Sequence, residues 1–241
     1  MRKIPGHVPG GYKLPSKYCI RANFIRGNSV SLPRFSRKYT CARCYDYPVT
    51  GASSKTIPQD LATVFLDRDG VLNEKMPEGS YVRSLDDFHV LPGVPDAIAR
   101  LNRAGLRVVV VSNQRGIALG LYTASDVDAI HAGFQRILGN YGAYIDAFFI
   151  CPHDRGQCNC RKPLPGLFEQ AAAQFPAINA ASSVMIGDSL VDIEFACRLG
   201  MTAILIDNAG PPRPDDESAQ ELADLRFPSL AEAVSALEEN R

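Results

Sequence analysis

Acidic side chains recur in this sequence where metal-assisted chemistry would need them. Asp67 and Asp69 stand two residues apart, and Asp188 and Asp192 follow Gly187 much later in the chain. Two carboxylates held side by side repel each other unless a cation lies between them, so such a pair predicts a metal site or an acid–base pair. Carboxylate oxygens are hard ligands, and they favour Mg²⁺.

Polar donors and two adjacent cations lie between these acidic groups in the chain. Ser112, Asn113 and Gln114 offer a hydroxyl and two amides, and Arg161 and Lys162 supply the cations. Together with the carboxylates they predict a phosphoryl-transfer site, because positioning and charge neutralisation supply most of the catalysis there. Taken singly, each motif has a plainer interpretation as a turn, a loop or a helix N-cap.

The elements that would position these residues alternate between buried strands and amphipathic helices from Leu61 onward. The predicted strands are 63–67, 107–112, 147–150, 183–188 and 202–207. The predicted helices are 94–104, 124–138 (with Thr123 as N-cap and Asp126 in capping-box position), 165–175, 190–199 and 230–237. This alternation indicates βα units and a parallel sheet. Because ligands bind outside the carboxyl ends of such strands, we expect their terminal polar residues to share one site.

A dense set of soft ligands follows the third predicted strand. Cys151, His153, Cys158 and Cys160 fall within ten residues and are the residue types that bind tetrahedral Zn²⁺. Four protein ligands would make a closed, structural site, and because Cys160 precedes Arg161, zinc would position the neighbouring cations. The alternative is a loop with reduced, unligated thiols.

Four ordered segments resemble the motifs of the haloacid dehalogenase (HAD) superfamily of aspartate-nucleophile phosphatases. They are DRDGVLN (67–73), VSNQRG (111–116), CRKPLPG (160–166) and IGDSLVDI (186–193). The resemblance covers about residues 61–208. It implies a Rossmann-like three-layer α/β/α fold with a parallel sheet, and the absence of a long insertion between the motifs predicts little or no cap domain.

The same resemblance implies a role for each matching residue. Asp67 would be the nucleophile, and Asp69 would act first as general acid and then as general base. Ser112 and Lys162 would bind the phosphoryl oxygens. The Mg²⁺ ion would be held by the Asp67 carboxylate, the Asp69 carbonyl and Asp188.

The zinc loop, the opening motif and the run 80–98 (SYVRSLDDFHVLPGVPDAI) resemble the heptose-bisphosphate phosphatase branch of that superfamily. This implies hydrolysis of the 7-phosphate of D-glycero-D-manno-heptose 1,7-bisphosphate. Ser112, Asn113, Gln114 and Arg161 would contact the substrate, with Arg161 reaching the distal 1-phosphate. The alternatives are a histidinol-phosphate phosphatase, a nucleic-acid 3'-end phosphatase, and a binding protein on an inactive phosphatase fold.

The charge of the 241-residue chain is zero overall but unevenly distributed. Residues 1–60 carry eleven Lys and Arg against two Asp, together with six prolines and five glycines. This composition predicts a basic, disordered extension, followed by a phosphatase domain over 61–241. A nucleic-acid-binding tail, an organellar targeting segment, or a stretch that is not made are the alternatives for 1–60.

Composition also bounds the compartment and the partners. No apolar run approaches eighteen residues, and the N-terminal segment lacks the apolar stretch of a secretory signal. Seven cysteines, three of them clustered, favour metal binding in a reducing compartment over a disulfide framework. We therefore expect a cytoplasmic protein that acts on a small-molecule phosphate ester, without membrane or nucleic-acid partners. A monomer is our separate expectation, because the composition does not determine the oligomeric state.

Overall fold

The computed structural model describes residues 55–77, 79–207 and 213–240. The chain divides into Met1–Asp46 and Tyr47–Arg241, and every described residue belongs to the second unit. Most of the predicted extension, 1–54, lies outside the described residues, so the boundary at residue 60 stays a prediction. Ile57 and Leu61 are already buried in the hydrophobic core.

Within the described part of the chain, the core element is a parallel sheet of six strands in the order β3-β2-β1-β4-β5-β6. The strands are β1 (Thr63–Leu66), β2 (Arg107–Asn113), β3 (Ala147–Cys151), β4 (Ser183–Gly187), β5 (Thr202–Ile206) and β6 (Leu225–Phe227). The five predicted strands are confirmed. The sixth was not predicted, because it is a three-residue edge strand whose residues remain partly exposed.

Six α-helices flank the sheet among the described residues. They are α1 (Val94–Arg103), α2 (Ala124–Gly139), α3 (Gly166–Gln174), α4 (Leu190–Leu199), α5 (Asp216–Leu222) and α6 (Leu230–Glu239). The Thr123–Asp126 capping box at the start of α2 is present as predicted. Helix α5 was not predicted, because its sequence is polar and only Ala219 is buried.

Alternate residues of each strand enter two separate cores, one on each face of the sheet. Val64 and Leu66 of β1 pack with α1, α2 and α6, whereas Phe65 packs with α3, α4 and α5. Burial on both faces is typical of a parallel sheet covered by helices. The fold is therefore the predicted Rossmann-like three-layer α/β/α arrangement.

The central position of β1 determines where a site can form. From β1 the chain continues to β2 and β3 on one side of the sheet, and it then returns to β4 on the other side of β1. This reversal of strand order makes the carboxyl end of β1 a topological switch point. Between β1 and α1 the described residues form only isolated bridges that join Asn73 to Asp69 and Val90. No helix or strand of a cap lies in that described stretch. Among the described residues, no helix is long and apolar enough to span a membrane.

Candidate active site

Lys162 lies between two carboxylates at the carboxyl ends of β1 and β4. Its Nζ contacts Asp67 Oδ1 at 2.8 Å and Asp192 Oδ1 at 2.6 Å, and it donates to the carbonyl oxygen of Val111 at 2.6 Å. Two of these contacts are hydrogen bonds, to Asp67 and Val111, the contact with Asp192 is an ion pair, and the Lys162 side chain is 1% exposed. This arrangement fixes one positive charge against the predicted nucleophile.

The burial of this group shifts the pKa values of its members. Burial raises the pKa of Asp67 to about 6; the charge of Lys162 opposes the shift, and those of Asp192 and Asp69 add to it. Burial alone would lower the pKa of Lys162, but Asp192 and Asp67 outweigh it and raise the pKa above its usual value. Lys162 is thus a permanent cation, and a divalent cation at Asp67 would hold that carboxylate in its ionised form.

Asp188 follows β4 and presents its two carboxylate oxygens to different surroundings. Its Oδ2 accepts from Lys75 Nζ at 2.6 Å and from Arg213 Nη1 at 2.8 Å. Its Oδ1 is buried and has no hydrogen-bond partner among the described residues. A buried anionic oxygen without a partner is costly, so this atom is suited to a ligand or ion.

The carboxylates fit the divalent cation that the sequence predicted. Asp67, Asp188 and Asp192 each offer an oxygen, and these atoms lie within 4.8 Å of one another. Oxygen donors of this kind suit Mg²⁺. The carboxylate of Asp69 lies outside this group, which is consistent with the prediction that Asp69 contributes its backbone carbonyl.

Asp69 lies beside the cluster and is held by three side chains. Arg68 donates to both of its oxygens at 3.0 and 3.2 Å, Asn73 Nδ2 donates to Oδ1 at 3.0 Å, and Gln114 Nε2 donates to Oδ2 at 3.1 Å. Burial alone would raise the pKa of Asp69, but the charge of Arg68 and these hydrogen bonds outweigh it and lower the pKa. The side chain is 27% exposed, so it remains accessible to a substrate.

The Ser112-Asn113-Gln114 segment ends β2 and faces the same site. Gln114 Nε2 also donates to Ser112 Oγ at 2.8 Å, and its Oε1 accepts from Tyr122 at 2.8 Å. Asn113 uses both ends of its amide on the backbone of Lys162. The structure therefore brings the three predicted residues to the site but gives the two amides internal partners.

Arg161 is half-buried beside Lys162 in the loop that leads to α3. Its Nη1 is buried without a partner among the described residues. A cavity of about 200 Å³ opens beside Asp69, and its lining includes Arg68, Lys75 and Gln114 but not Arg161. We call this space the Asp69 cavity.

The four predicted zinc ligands converge in the loop after β3. The Sγ–Sγ distances are 3.5 Å for Cys151–Cys158 and 3.3 Å for Cys158–Cys160, and His153 Nδ1 lies 3.3 Å from Cys160 Sγ and 3.8 Å from Cys151 Sγ. All three cysteines are free thiols. Zinc bonds of about 2.3 Å to sulfur and 2.0–2.1 Å to nitrogen place tetrahedral ligands roughly 3.5–3.8 Å apart. The arrangement is therefore a candidate metal site whose spacing fits zinc.

The two cations beside Asp188 were not predicted from the sequence. Lys75 comes from the irregular segment after β1, and Arg213 precedes α5; both contact Asp188. Arg213 is itself anchored, because its Nε donates to Asp216 at 2.8 Å and its Nη2 donates to the carbonyl oxygen of Asp188. Neither residue lies at a strand end or in a recognisable motif, so no sequence signal marked them.

The α/β/α fold with paired aspartates at the end of its central strand is that of a HAD-like hydrolase. The family model described as HAD-hydrolase-like matches residues 159–233. The structure aligns with the crystal structure of D,D-heptose 1,7-bisphosphate phosphatase from Bordetella bronchiseptica, complexed with magnesium and phosphate. That alignment has a TM-score of 0.66 and 32% sequence identity, and it covers 75% of this chain and 100% of the other.

Curated relatives carry the same kind of name. D-glycero-alpha-D-manno-heptose-1,7-bisphosphate 7-phosphatase of Mycobacterium tuberculosis is 43% identical over 141 residues, which are 58% of this chain and 74% of the relative. D-glycero-beta-D-manno-heptose-1,7-bisphosphate 7-phosphatase of Escherichia coli is 33% identical over 197 residues, which are 78% of this chain and 98% of the relative. The chain therefore belongs to the HAD-like phosphatase family of these enzymes, and it is a phosphoric monoester hydrolase.

Proposed function

We propose that this phosphatase removes the 7-phosphate of D-glycero-D-manno-heptose 1,7-bisphosphate through an aspartyl-phosphate intermediate. The observation that carries the proposal is the pairing of Asp67 with Lys162 beside an accessible Asp69, in a chain whose relatives are named for that reaction. Relatives named for the alpha and the beta anomer align at 43% and 41% identity, so the proposal covers both anomers.

In the first step, a carboxylate oxygen of Asp67 attacks the phosphorus atom. An oxygen–phosphorus bond forms to Asp67 while the bond from phosphorus to the sugar oxygen breaks. Asp69 donates a proton to that leaving oxygen, and Lys162 and Ser112 bind the phosphoryl oxygens. Covalent catalysis of this kind divides one difficult displacement into two easier ones.

In the second step, Asp69 takes a proton from a water molecule that attacks the phosphorus, and the bond to Asp67 breaks. Because the pKa of Asp69 is lowered, its carboxyl group is ionised at neutral pH when no substrate is bound, and a carboxylate can accept the proton from water. For its acidic role it must first gain a proton. A bound phosphate ester favours that, because a neighbouring negative charge raises the pKa of a carboxyl group.

The magnesium ion would be held by Asp67, Asp188 and the backbone carbonyl of Asp69, with Asp192 beside them. The unpartnered Oδ1 of Asp188 and the cluster of three carboxylate oxygens support this assignment. When bound, Mg²⁺ would neutralise charge on the transferring phosphoryl group.

The Cys151, His153, Cys158 and Cys160 set is proposed to hold a structural zinc ion. With four protein ligands the site has no open position for substrate, so its role would be to fix the loop that carries Arg161 and Lys162. Thiolate ligands persist in a reducing compartment, which supports a cytoplasmic assignment. A monomer remains our prediction for the assembly state.

Phosphate release tests this function directly. Heptose 1,7-bisphosphate, heptose 7-phosphate, histidinol phosphate and a 3'-phosphorylated oligonucleotide would be compared with Mg²⁺ and with EDTA. We expect the bisphosphate to be hydrolysed with the highest kcat/KM, and activity to be lost in EDTA. The Asp67→Asn variant should be folded and bind the bisphosphate without turnover.

The other outcomes separate the alternatives. Preference for histidinol phosphate would move the enzyme to that reaction while leaving the roles of Asp67 and Asp69 intact. Preference for the oligonucleotide would assign it to nucleic-acid ends. Turnover by Asp67→Asn near the wild-type rate would refute the nucleophile, whatever the substrate.

A further inference from the structure

Lys75 occupies an unusual position, because its one charged group touches a metal-site carboxylate while its side chain stays open to solvent. The ammonium group lies 2.6 Å from Asp188 Oδ2, its single hydrogen-bond acceptor among the described residues. The side chain is 44% exposed, whereas that of Asp188 is 2% exposed. Lys75 also lines two neighbouring cavities, the Asp69 cavity and a second one bordered by Ser189 and Arg213.

Asp188 does not depend on Lys75 for charge compensation. Arg213 donates to the same Oδ2 and to the backbone carbonyl of Asp188, and it is fixed in turn by Asp216. Any divalent cation at the carboxylate cluster would add further positive charge. Lysine carries its charge on a flexible four-carbon stem, so Lys75 can move from Asp188 to another anion while Arg213 stays on Asp188.

The Asp69 cavity is where the leaving group of the substrate would lie, because Asp69 would protonate the leaving oxygen. Two cations line this cavity. Arg68 is 1% exposed, is paired with both oxygens of Asp69, and lies over the ring of Phe88 at 5.8 Å. Arg68 is thus committed to Asp69, so of the two cations that line this cavity Lys75 is the one that an incoming anionic group can reach.

We propose that Lys75 is a specificity-determining residue that binds the distal phosphate of a bisphosphorylated substrate. This inference rests on the proposed function, since it concerns the leaving group of that reaction. Lys75 would leave Asp188 Oδ2 and donate to the distal phosphate, while Arg213 keeps Asp188 in place. The ammonium group would then favour bisphosphates over monophosphates without touching the transferring phosphoryl group.

The test compares Lys75→Gln with the wild-type enzyme on two substrates, heptose 1,7-bisphosphate and heptose 7-phosphate. We expect kcat/KM for the bisphosphate to fall about 10- to 100-fold, mostly through KM, as for loss of one charge-assisted hydrogen bond. The value for the monophosphate should change less than about threefold, because the transferring group is unaffected. Lys75→Arg should restore most of the preference for the bisphosphate.

Two further measurements distinguish a direct contact with the distal phosphate from a change in net charge or in metal binding. Arg83→Gln removes one charge from an exposed residue of the same segment and should keep the preference for the bisphosphate. Mg²⁺ binding would be measured as the Mg²⁺ concentration that gives half of the maximal increase in Tm. For Lys75→Gln this concentration should stay within about twofold of the wild-type value, since Arg213 still holds Asp188.

Three results would overturn the inference. Equal losses on both substrates would mean that Lys75 acts through Asp188. If Lys75→Gln keeps the preference for the bisphosphate, Lys75 does not bind the distal phosphate. The same conclusion follows if Arg161→Gln loses that preference and Lys75→Gln keeps it. A wild-type enzyme without preference for the bisphosphate would instead contradict the proposed function itself.

Discussion

Asn113 and Lys162 are joined by two reciprocal hydrogen bonds. Asn113 Nδ2 donates to the carbonyl oxygen of Lys162 at 3.1 Å, and Asn113 Oδ1 accepts from the Lys162 backbone N–H at 3.0 Å. Asn113 is the last residue of β2, so these bonds fix the end of the cysteine loop to the sheet. The ammonium group of Lys162 then reaches Asp67 from a backbone that is held in place.

Replacement of Asn113 by alanine should therefore impair catalysis through Lys162. We expect kcat to fall about 10- to 100-fold with a smaller change in KM, because a displacement of about 1 Å at a reacting group has costs of that size. Steady-state kinetics would measure this, and Asn102→Ala is the matched control, because it removes an amide of α1 that accepts from the backbone N–H of Tyr144. A variant with wild-type kcat would show that Lys162 needs no such support.

A second prediction concerns the candidate zinc site in the loop that leads to Lys162. Cys158→Ser removes one ligand at nearly constant volume, and bound zinc should fall from one per chain to well below half. Metal binding is coupled to folding, so we expect Tm to drop by about 5 °C or more, together with a loss of activity. Metal analysis and thermal unfolding would be compared with Cys197→Ser, which removes an exposed thiol from α4. Full zinc content in Cys158→Ser would contradict the assignment.

Periodicity and turn residues were sufficient to predict most of the fold. Strands β1 to β5 are mostly apolar runs. Helix α4 begins and ends at the predicted residues, and its end is fixed because Gly200 adopts the left-handed conformation at its C-terminus. Strand β6 and helix α5 were missed for the opposite reason. Strand β6 has only three residues and the sequence of α5 is polar, so neither carries much periodic signal. Their formation depends on pairing with β5 and on packing against α4.

Because ligands bind at the carboxyl ends of parallel strands, the sequence predicted that the carboxylates and Lys162 would share one site, and in the structure they lie together. The same reasoning could not predict which side chains would hydrogen-bond to one another. Asn113 and Gln114 stay predicted as substrate contacts, and the sequence did not indicate that their amides would also bind Lys162, Asp69 and Ser112. Which polar side chain turns inward depends on three-dimensional neighbours that are distant in the sequence. The same holds for Lys75, whose contact with Asp188 spans 113 residues of chain.

Two glycines with similar backbone angles permit a test of the packing around Asp188. Gly70 has φ 96° and a Cβ there would lie 2.5 Å from Asp188 Oδ2, whereas Gly105, between α1 and β2, has φ 73° and open space around a Cβ. Alanine at either position should cost about 1 kcal/mol in backbone strain. Gly70→Ala must also displace Asp188, so we expect at least a tenfold fall in kcat and a higher half-saturating Mg²⁺ concentration. Comparable kinetics in Gly70→Ala and Gly105→Ala would contradict this.

The stability of the domain should fall in acid because of His131. This side chain is buried and stacked on Phe148 with 4.2 Å between ring centroids, and burial, reinforced by the charge of Arg68, lowers its pKa to about 3. An unfolded chain binds a proton at His131 below about pH 6.5, but the folded chain does not, so stability decreases as the pH falls through that range.

We expect His131 alone to lower the free energy of unfolding by about 2 kcal/mol between pH 7.5 and pH 5. His131→Phe keeps an aromatic ring against Phe148 without a titrating group, so its loss over this interval should be smaller than that of wild type by the same amount. Urea unfolding at the two pH values would measure both losses. His89→Gln, at an exposed histidine, should behave as wild type. Equal losses in wild type and His131→Phe would mean that His131 is protonated in the folded enzyme at pH 5.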